Sequence, residues 1–390
     1  MSGDKGVGRK VNGKKIMLKR VSIQNFKSLK DVTLNLQKVN LLIGPNNSGK
    51  SNFLKALEYF DSSDFKAQTI AALEQVSFKH ERRNIRYLFD YKPNANNLLE
   101  GYSQDLGEIL YQLIFELQIV AQNFTTQVSH KAEPFIIGAN GDVISLESSL
   151  VESFEREFRQ VIRTKVFRPD PSKLTKTAKF SADEVELSPN CDNLIAFYFY
   201  IDNTFKKYSN KIQNDLSRCI PEIAYFTTPP VKENGQSLLG LQFFDKSDIG
   251  YWADEVSEGV LYFLSLLCII NQPNPPKLLL LEEPEKGIHP RRIREIMEFI
   301  RRLVVEKDIQ VIMTTHSPLL LDEFAESPES VFVFDKDQEG ATFVRNLQHD
   351  IIEPANQKNR ELGVPPVHYT DALGEYWTIG FLGGVPDEAL

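Results

Sequence analysis

Short apolar runs alternate with amphipathic stretches along this chain. Val39-Asn40-Leu41-Leu42-Ile43, Lys277-Leu278-Leu279-Leu280-Leu281 and Ile309 to Thr315 are three such runs. Runs this short and this continuously apolar predict strands buried on both faces of a parallel sheet. Asn52-Phe53-Leu54-Lys55-Ala56-Leu57 predicts a helix start after the first. Val260 to Ile270 is apolar all round, about three helical turns, and reads as a core helix too short to span a bilayer. In Arg291 to Val304 the residues Ile293, Ile296, Met297, Ile300, Leu303 and Val304 fall on one helical face. The opposite face carries Arg291, Arg292, Arg294, Arg301 and Arg302, interspersed with Glu295 and Glu298, which favours a solvated surface over a partner contact.

Elsewhere the pattern is strand-like. Met17 to Leu36 alternates apolar and polar residues, as strands of an open sheet do. Ile109 to Val120, continuing into Thr125 to His130, reads as strand. Gly138-Ala139-Asn140-Gly141-Asp142 predicts a hairpin turn between Pro134 to Ile137 and Val143 to Leu146, and Val331 to Phe334 a further strand. Asp61 to Gly101 is polar and irregular, with basic Lys79, Arg82, Arg83 and Arg86. Leu150 to Arg163 and Asn193 to Ile220 have helical spacing and predict a smaller helical lobe.

Composition narrows the class. With 390 residues, 42% hydrophobic and 25% charged, the chain can bury a large core. A net charge of −8 argues against nucleic-acid binding through the overall field, although a local basic surface stays open. Cys191, Cys219 and Cys268 stand apart, without a C-x-x-C pair, which suits a reducing cytoplasm and no zinc site. No apolar stretch is long enough for a membrane span. The stretch before Met17 is basic and nearly coreless, and is expected to be a flexible extension.

The candidate chemistry sits where the apolar runs end. Gly44-Pro45-Asn46-Asn47-Ser48-Gly49-Lys50-Ser51 is a G-x-x-x-x-G-K-[ST] phosphate loop between the first strand and its helix. Its glycines permit a tight turn whose N–H groups converge, and the helix N-terminus adds a field that favours phosphate. Lys50 can reach the β- and γ-phosphates, and the Ser51 hydroxyl can ligate Mg²⁺. The second run ends in Glu282-Glu283-Pro284. Ligands bind beyond the carboxyl ends of such strands, so Glu282 is expected in the metal shell and Glu283 as the base that activates water. The third run ends at His316, which can donate to the γ-phosphate. Ser257, before the apolar helix, reads either as a second anion site or as a plain N-cap.

In this order the motifs resemble the ABC-type ATPase superfamily, in its RecF-, SMC- and OLD-like branch. Arg20 to Leu29, Phe167 to Leu174, Glu282 to Pro290 and Thr314 to Pro318 carry the likeness. The implied fold is α/β: an ABC-ATPase head with a mixed sheet around the phosphate-loop core and no long coiled coil. Sustained heptads are absent, and Pro169, Pro171, Pro189 and Pro221 interrupt the helical pieces. The resemblance divides the chain into a flexible extension at 1–16, a first ATPase lobe at 17–146 and a connecting and helical part at 147–250. Signature, Walker B and His316 follow at 251–334, and an interaction appendage at 335–390.

The resemblance further implies that ATP and Mg²⁺ are bound in a head-to-tail homodimer or larger oligomer. The nucleotide-binding set would be Asn25, Phe26, Lys27, Gly44, Asn46, Asn47, Ser48, Gly49, Lys50, Ser51 and Asn52. Ser257 and Gly259 would act on the partner's γ-phosphate, and the loop Glu285 to His289 would touch the opposing subunit. Ser51 and Glu282 would hold the metal; Lys50, Glu283 and His316 would be catalytic. The usual Walker B Asp is replaced here by Glu282. The Q-loop glutamine is not fixed by pattern, Gln75 and Gln112 being candidates. Asp335-Lys336-Asp337 has the spacing of a Toprim nuclease pair but lacks its companion Glu motif, and reads as a turn. Proteins of this likeness commonly act as regulatory subunits in anti-phage defence, so an effector is expected in trans. A RecF-type DNA-repair factor, or an ATP-locked scaffold with negligible turnover, are the alternatives.

Overall fold

The computed structural model describes residues 17–61, 74–80, 84–92, 110–117, 135–137, 143–145, 158, 162, 164–180, 185–273, 275–286 and 288–385. The basic extension, the hairpin turn at 138–142 and most of the helical stretch from 150 to 163 lie outside them.

The three apolar runs become neighbouring strands. One sheet has the order β17 (Thr342–Asn346), β16 (Val331–Lys336), β3 (Val39–Ile43), β15 (Gln310–Thr314), β14 (Leu278–Glu282), β8 (Thr164–Phe167). All pairings are parallel except the edge hairpin β16–β17. Alternation sorts the side chains. Leu41, Ile43, Leu279, Leu281, Val311, Met313, Val331 and Val333 join one core, and Leu42, Leu278, Leu280, Ile312, Phe332 and Phe334 the other. A strand covered on both faces must be apolar throughout, which is why these runs do not alternate in sequence.

The second core lies between this sheet and an antiparallel one. The latter has the order β2 (Leu29–Asn35), β1 (Met17–Phe26), β4 (Ile85–Lys92), β5 (Leu110–Leu117), β6 (Phe135–Ile137), β7 (Val143–Ser145). Helix α1 (Lys50–Asp61) fills the gap, burying Phe53, Leu54, Leu57 and Phe60. The Phe60 ring sits 4.9 Å from Phe89, tilted against it, and 4.7 Å from Phe115, edge to face. The buried Gln310 amide ties the sheets together, donating to Leu18 O (2.9 Å) and Gln37 O (2.7 Å) and accepting from Leu18 N (3.1 Å). Strand β4 corrects the expectation of an irregular 61–101 segment. Ile85, Tyr87 and Phe89 alternate inward there, close to the cluster of basic residues that makes the stretch look polar.

On the opposite face pack α5 (Glu258–Asn271), wholly buried from Gly259 onward, and α6 (Ile293–Lys307), through the six apolar positions read from its spacing. Its arginine face is solvated or locally paired, Arg294 with Glu298 (3.1 Å) and Arg301 with Glu323 (3.1 Å). Asn193 to Ile220 is two helices, α3 (Leu194–Thr204) and α4 (Lys206–Cys219), broken at Phe205. Their apolar faces share the α5 core. Short α2 (Pro171–Leu174) follows β8. A three-stranded sheet, β13 (Gly250–Trp252), β12 (Gln242–Phe244), β9 (Tyr225–Thr227), and the hairpin β10 (Pro230–Glu233) with β11 (Gln236–Leu239) fill the connection to α5.

The described part of the stretch expected as an appendage, 335–390, packs into the body of the fold. Strand β17 extends the central sheet, and Leu347, Ile352, Leu373, Trp377 and Leu382 enter the same core as α5. Helix α9 (Leu373–Thr378) docks on α7 (Pro318–Asp322), with Gly374 N donating to Asp322 Oδ1 at 2.7 Å; α8 (Glu353–Glu361) comes between them in sequence. Pro354 starts a helix, and the later glycines turn the chain without detaching it. Asp337 Oδ1 accepts from Glu339 N and Ala341 N, so the Asp-x-Asp pair closes a turn. Among the described residues, no helix is long and apolar enough to cross a membrane.

Candidate functional site

The carboxyl edges of β3, β14 and β15 meet in one place. Between β3 and α1 the phosphate loop turns at Gly44 (φ 141°) and Gly49 (φ 111°). A Cβ at Gly44 would run into the Phe334 carbonyl oxygen, and one at Gly49 into Thr342 Oγ1, so neither position tolerates a side chain. A cavity of about 350 Å³ opens above the loop, lined by Asn46, Asn47, Ser48, Gly49, Lys50, Ser51, Asn52, Glu283, Thr314 and His316.

Lys50 is buried, and its Nζ donates to Gly44 O (2.7 Å) and Pro45 O (2.9 Å). Burial lowers its pKa to about 8, against the pull of the Glu283 carboxylate. Ser51 Oγ donates to Glu282 Oε1, whose other oxygen pairs with Arg168 Nε. Glu283 sits in the left-handed region (φ 49°), held by its amide donating to Thr314 O at 3.1 Å. That bend turns the chain off β14 and brings Glu283 Oε1 to 3.7 Å from His316 Nε2. Burial, then the Lys50 charge, lower the His316 pKa, while Glu283 raises it, so the imidazole is neutral near pH 7.

The residues fit a magnesium–nucleotide group. Mg²⁺ keeps most of its shell for water and phosphate and takes one or two protein oxygens. Ser51 and Glu282 supply such a pair, and among the described residues no cluster of three or more His, Cys, Asp or Glu side chains could hold a metal unaided. Ser48 Oγ is buried without a hydrogen-bond partner, as a donor reserved for a phosphate oxygen would be.

Other expected residues lie apart from this cavity. Phe26 is core, its ring 5.5 Å from Tyr59, and it does not line the cavity. Asn25 and Lys27 flank it at positive φ, with Asn25 Nδ2 on Asn84 O (2.9 Å) and Lys27 N on Val76 O (2.6 Å); neither lines the cavity. Gln112 donates to Asp90 Oδ1 (2.8 Å) on the antiparallel sheet, and Gln75 is exposed, so neither Q-loop candidate reaches the site. Ser257 caps α5 without a side-chain hydrogen bond and is exposed; it and Gly259 do not line their own chain's cavity. Gly287, within the loop expected to touch a second subunit, lies outside the described residues.

Sequence reasoning missed several groups that shape the site. Thr342 Oγ1 donates to Ser48 O (2.8 Å) and meets Ser28 Oγ (2.8 Å), which also accepts from Asn52 Nδ2 (2.9 Å). Arg168 is set beside Glu282 by the β8–β14 register, which pairs Phe167 with Leu281. It lines a second cavity of about 660 Å³ that shares Glu282 and Glu283 with the site and reaches Lys173, Lys286 and Glu258. The Phe167-Arg168-Pro169-Asp170-Pro171 motif was the available signal for it.

Comparisons with known proteins bear on the family and the fold. Residues 39–322 match the family described as "AAA domain, putative AbiEii toxin, Type IV TA system". A protein named ATP/GTP phosphatase from Helicobacter pylori is 24% identical over 340 residues, covering 77% of this chain and 85% of that one. The energy-coupling factor transporter ATP-binding protein EcfA2 of Enterococcus faecalis is 28% identical over 136 residues, 34% of this chain and 44% of that one. The chain thus spans less than half the length of the transporter ATP-binding proteins it matches. Among solved structures, an SMC head with an extended coiled coil, bound to the C-terminal domain of ScpA from Pyrococcus furiosus, aligns over 89% of this chain and 100% of that one. Its TM-score is 0.50 at 13% identity, a likeness of fold. The family match covers well over half of the 390 residues: the chain belongs to this AAA-domain family and has the ABC-type, SMC-head-like fold of a P-loop ATPase.

Proposed function

We propose that the chain binds Mg·ATP over the phosphate loop, hydrolyses it at a site completed by a second copy, and uses that cycle to regulate an effector protein in antiviral defence. The observation that carries the reading is the convergence of Lys50, Ser51, Glu283 and His316 on one cavity, with Glu282 bonded to Ser51 at its edge.

Lys50, already aimed across the loop by two carbonyls, exchanges those bonds for β- and γ-phosphate oxygens. The loop amides and the start of α1 hold the remaining phosphate charge. Ser51 and Glu282 would hold Mg²⁺, which supplies charge neutralisation across the phosphates when bound. Glu283 accepts the proton of the attacking water at its carboxylate. Neutral His316, beside it, donates to the γ-phosphate and so distinguishes triphosphate from diphosphate.

The sharing of sites is supported by Ser257, which stands exposed at the start of α5 and does not line its own chain's cavity. The defence role draws on the family description, with its toxin and toxin–antitoxin terms, and on the absence of arm or nuclease among the described residues. An SMC head that binds a ScpA domain offers a precedent for a head that works through a separate protein.

Steady-state hydrolysis and binding of a fluorescent ATP analogue test the reading. Glu283→Gln is expected to lower turnover by ~10²-fold or more, the usual worth of a general base, with binding retained. Lys50→Ala is expected to lose binding. Equal rates for native protein and Glu283→Gln would remove the base assignment, and normal ATP binding by Lys50→Ala would remove the site. A partner that co-purifies with ATP-loaded Glu283→Gln and not with Lys50→Ala would identify the effector.

A further inference from the structure

Strand β15 ends at Thr314, and Thr315 N still reaches Leu42 O at 3.2 Å. Past that point the sheet no longer holds the chain, yet His316 must be placed to within a fraction of an ångström. The next backbone donors all lead to one side chain. Ser317 N donates to Thr315 Oγ1 at 2.9 Å, which leaves the Thr315 hydroxyl to donate onward to Glu285 Oε1, at 2.5 Å. His316 N donates to the same Glu285 oxygen at 3.2 Å. Thr315 is wholly buried, and the two bonds its hydroxyl makes are part-buried.

Glu285 itself belongs to the turn that carries Glu283. We propose that Glu285 is a positioning residue that locks the His316 segment to the Glu283 turn, so that the two side chains facing the γ-phosphate move as one unit. This rests on the roles given above to Glu283 and His316.

Two further facts bear on its test. Glu285 Oε2 is buried without a partner, so all the hydrogen bonding found runs through Oε1. Burial, partly offset by these same hydrogen bonds, raises its carboxyl pKa, and the Glu283 charge adds to the rise. The donors found all end on Oε1, and glutamine supplies an acceptor of the same shape through its own Oε1.

The experiment compares Glu285→Ala, Glu285→Gln and Thr315→Val, each alone and with His316→Ala. Glu285→Ala is expected to lower kcat by ~10- to 100-fold, the scale of a small misplacement of a reacting group. Affinity for a fluorescent ATP analogue should stay within about twofold, since the phosphate loop is untouched. Glu285→Gln should recover most of the turnover. Added to His316→Ala, Glu285→Ala should cost little more, because both remove the same placement.

Amide exchange gives a readout that does not depend on hydrolysis. The His316 and Ser317 amides should exchange faster in Glu285→Ala and at native rates in Glu285→Gln. If Glu285→Ala does not fold, Thr315→Val carries the test, with faster Ser317 exchange and a smaller loss of kcat expected. Multiplying losses in the double variant, or native exchange at His316 in Glu285→Ala, would overturn the proposal. Should His316→Ala hydrolyse ATP at the native rate, the role given to His316 fails. The exchange rates would then still decide whether Glu285 holds the segment.

Discussion

Lys50 is the residue at which function works against stability. Its ammonium lies in a largely buried site with two carbonyls for partners, and its pKa falls from 10.5 to about 8. A lowered lysine means that the folded chain binds fewer protons than the unfolded chain between those two values. Stability therefore rises with pH across that interval, and below it the full burial penalty applies. Lys50→Met keeps the length and removes the charge. It is expected to raise the melting temperature of the nucleotide-free protein near neutral pH, by a few degrees for ~1–2 kcal/mol. The gain should shrink as the pH is taken from about 8 towards about 10, as the native lysine loses its proton. The same variant should lose the added stability that Mg·ATP gives the native protein. Thermal unfolding with and without Mg·ATP, at two pH values, checks all three outcomes.

At the scale of elements, the phosphate loop is held from outside itself. Thr342 N donates to Ser28 O (2.8 Å), its hydroxyl to Ser48 O (2.8 Å), and its side chain closes over Gly49. Strand β17 thus braces a loop almost 300 residues earlier in the chain. Thr342→Val keeps the shape and removes the hydroxyl. It should weaken nucleotide binding by ~5- to 10-fold, the worth of about one buried hydrogen bond, with little change in turnover at saturating ATP. Isothermal titration with ATP measures the first, and steady-state kinetics the second.

This brace also marks what the sequence does and does not disclose. The loop, its strand and its helix were legible because the chemistry and the flanking periodicity are contiguous. Glu282, Glu283 and His316 were legible because each follows an apolar run that had to be a buried strand. Thr342, Ser28, Arg168 and Glu285 were not, because their meaning depends on the order of strands in the sheet. Strand β4 was missed because charged neighbours mask its alternation. The packing of the described C-terminal residues was not legible because proline and glycine mark turns, whether or not the chain returns to the core.

At the scale of the whole molecule, the proposed shared site would draw on two separated surfaces. Lys50 and Glu283 face one cavity, while Ser257 stands exposed at the start of α5 without a side-chain cap bond, outside that cavity. Two copies arranged head to tail about a twofold axis would bring each Ser257 to the other's phosphate loop, and symmetry would make two such sites or none. Complementation tests this directly. Lys50→Ala leaves an intact Ser257, and Ser257→Arg leaves an intact Lys50 with a bulky side chain where the partner's phosphate should approach. Each variant alone should be nearly inactive. In a mixed dimer, Lys50 of one chain faces Ser257 of the other, and one of the two sites is whole. Random mixing of equal amounts makes half the dimers mixed, so about a quarter of the native rate should return if the sites work independently. Ser257→Arg that hydrolyses ATP normally by itself would show that the site is complete within one chain. A mixture as inactive as its components, with mixed dimers confirmed by mass, would show that Ser257 is not the residue offered across the interface.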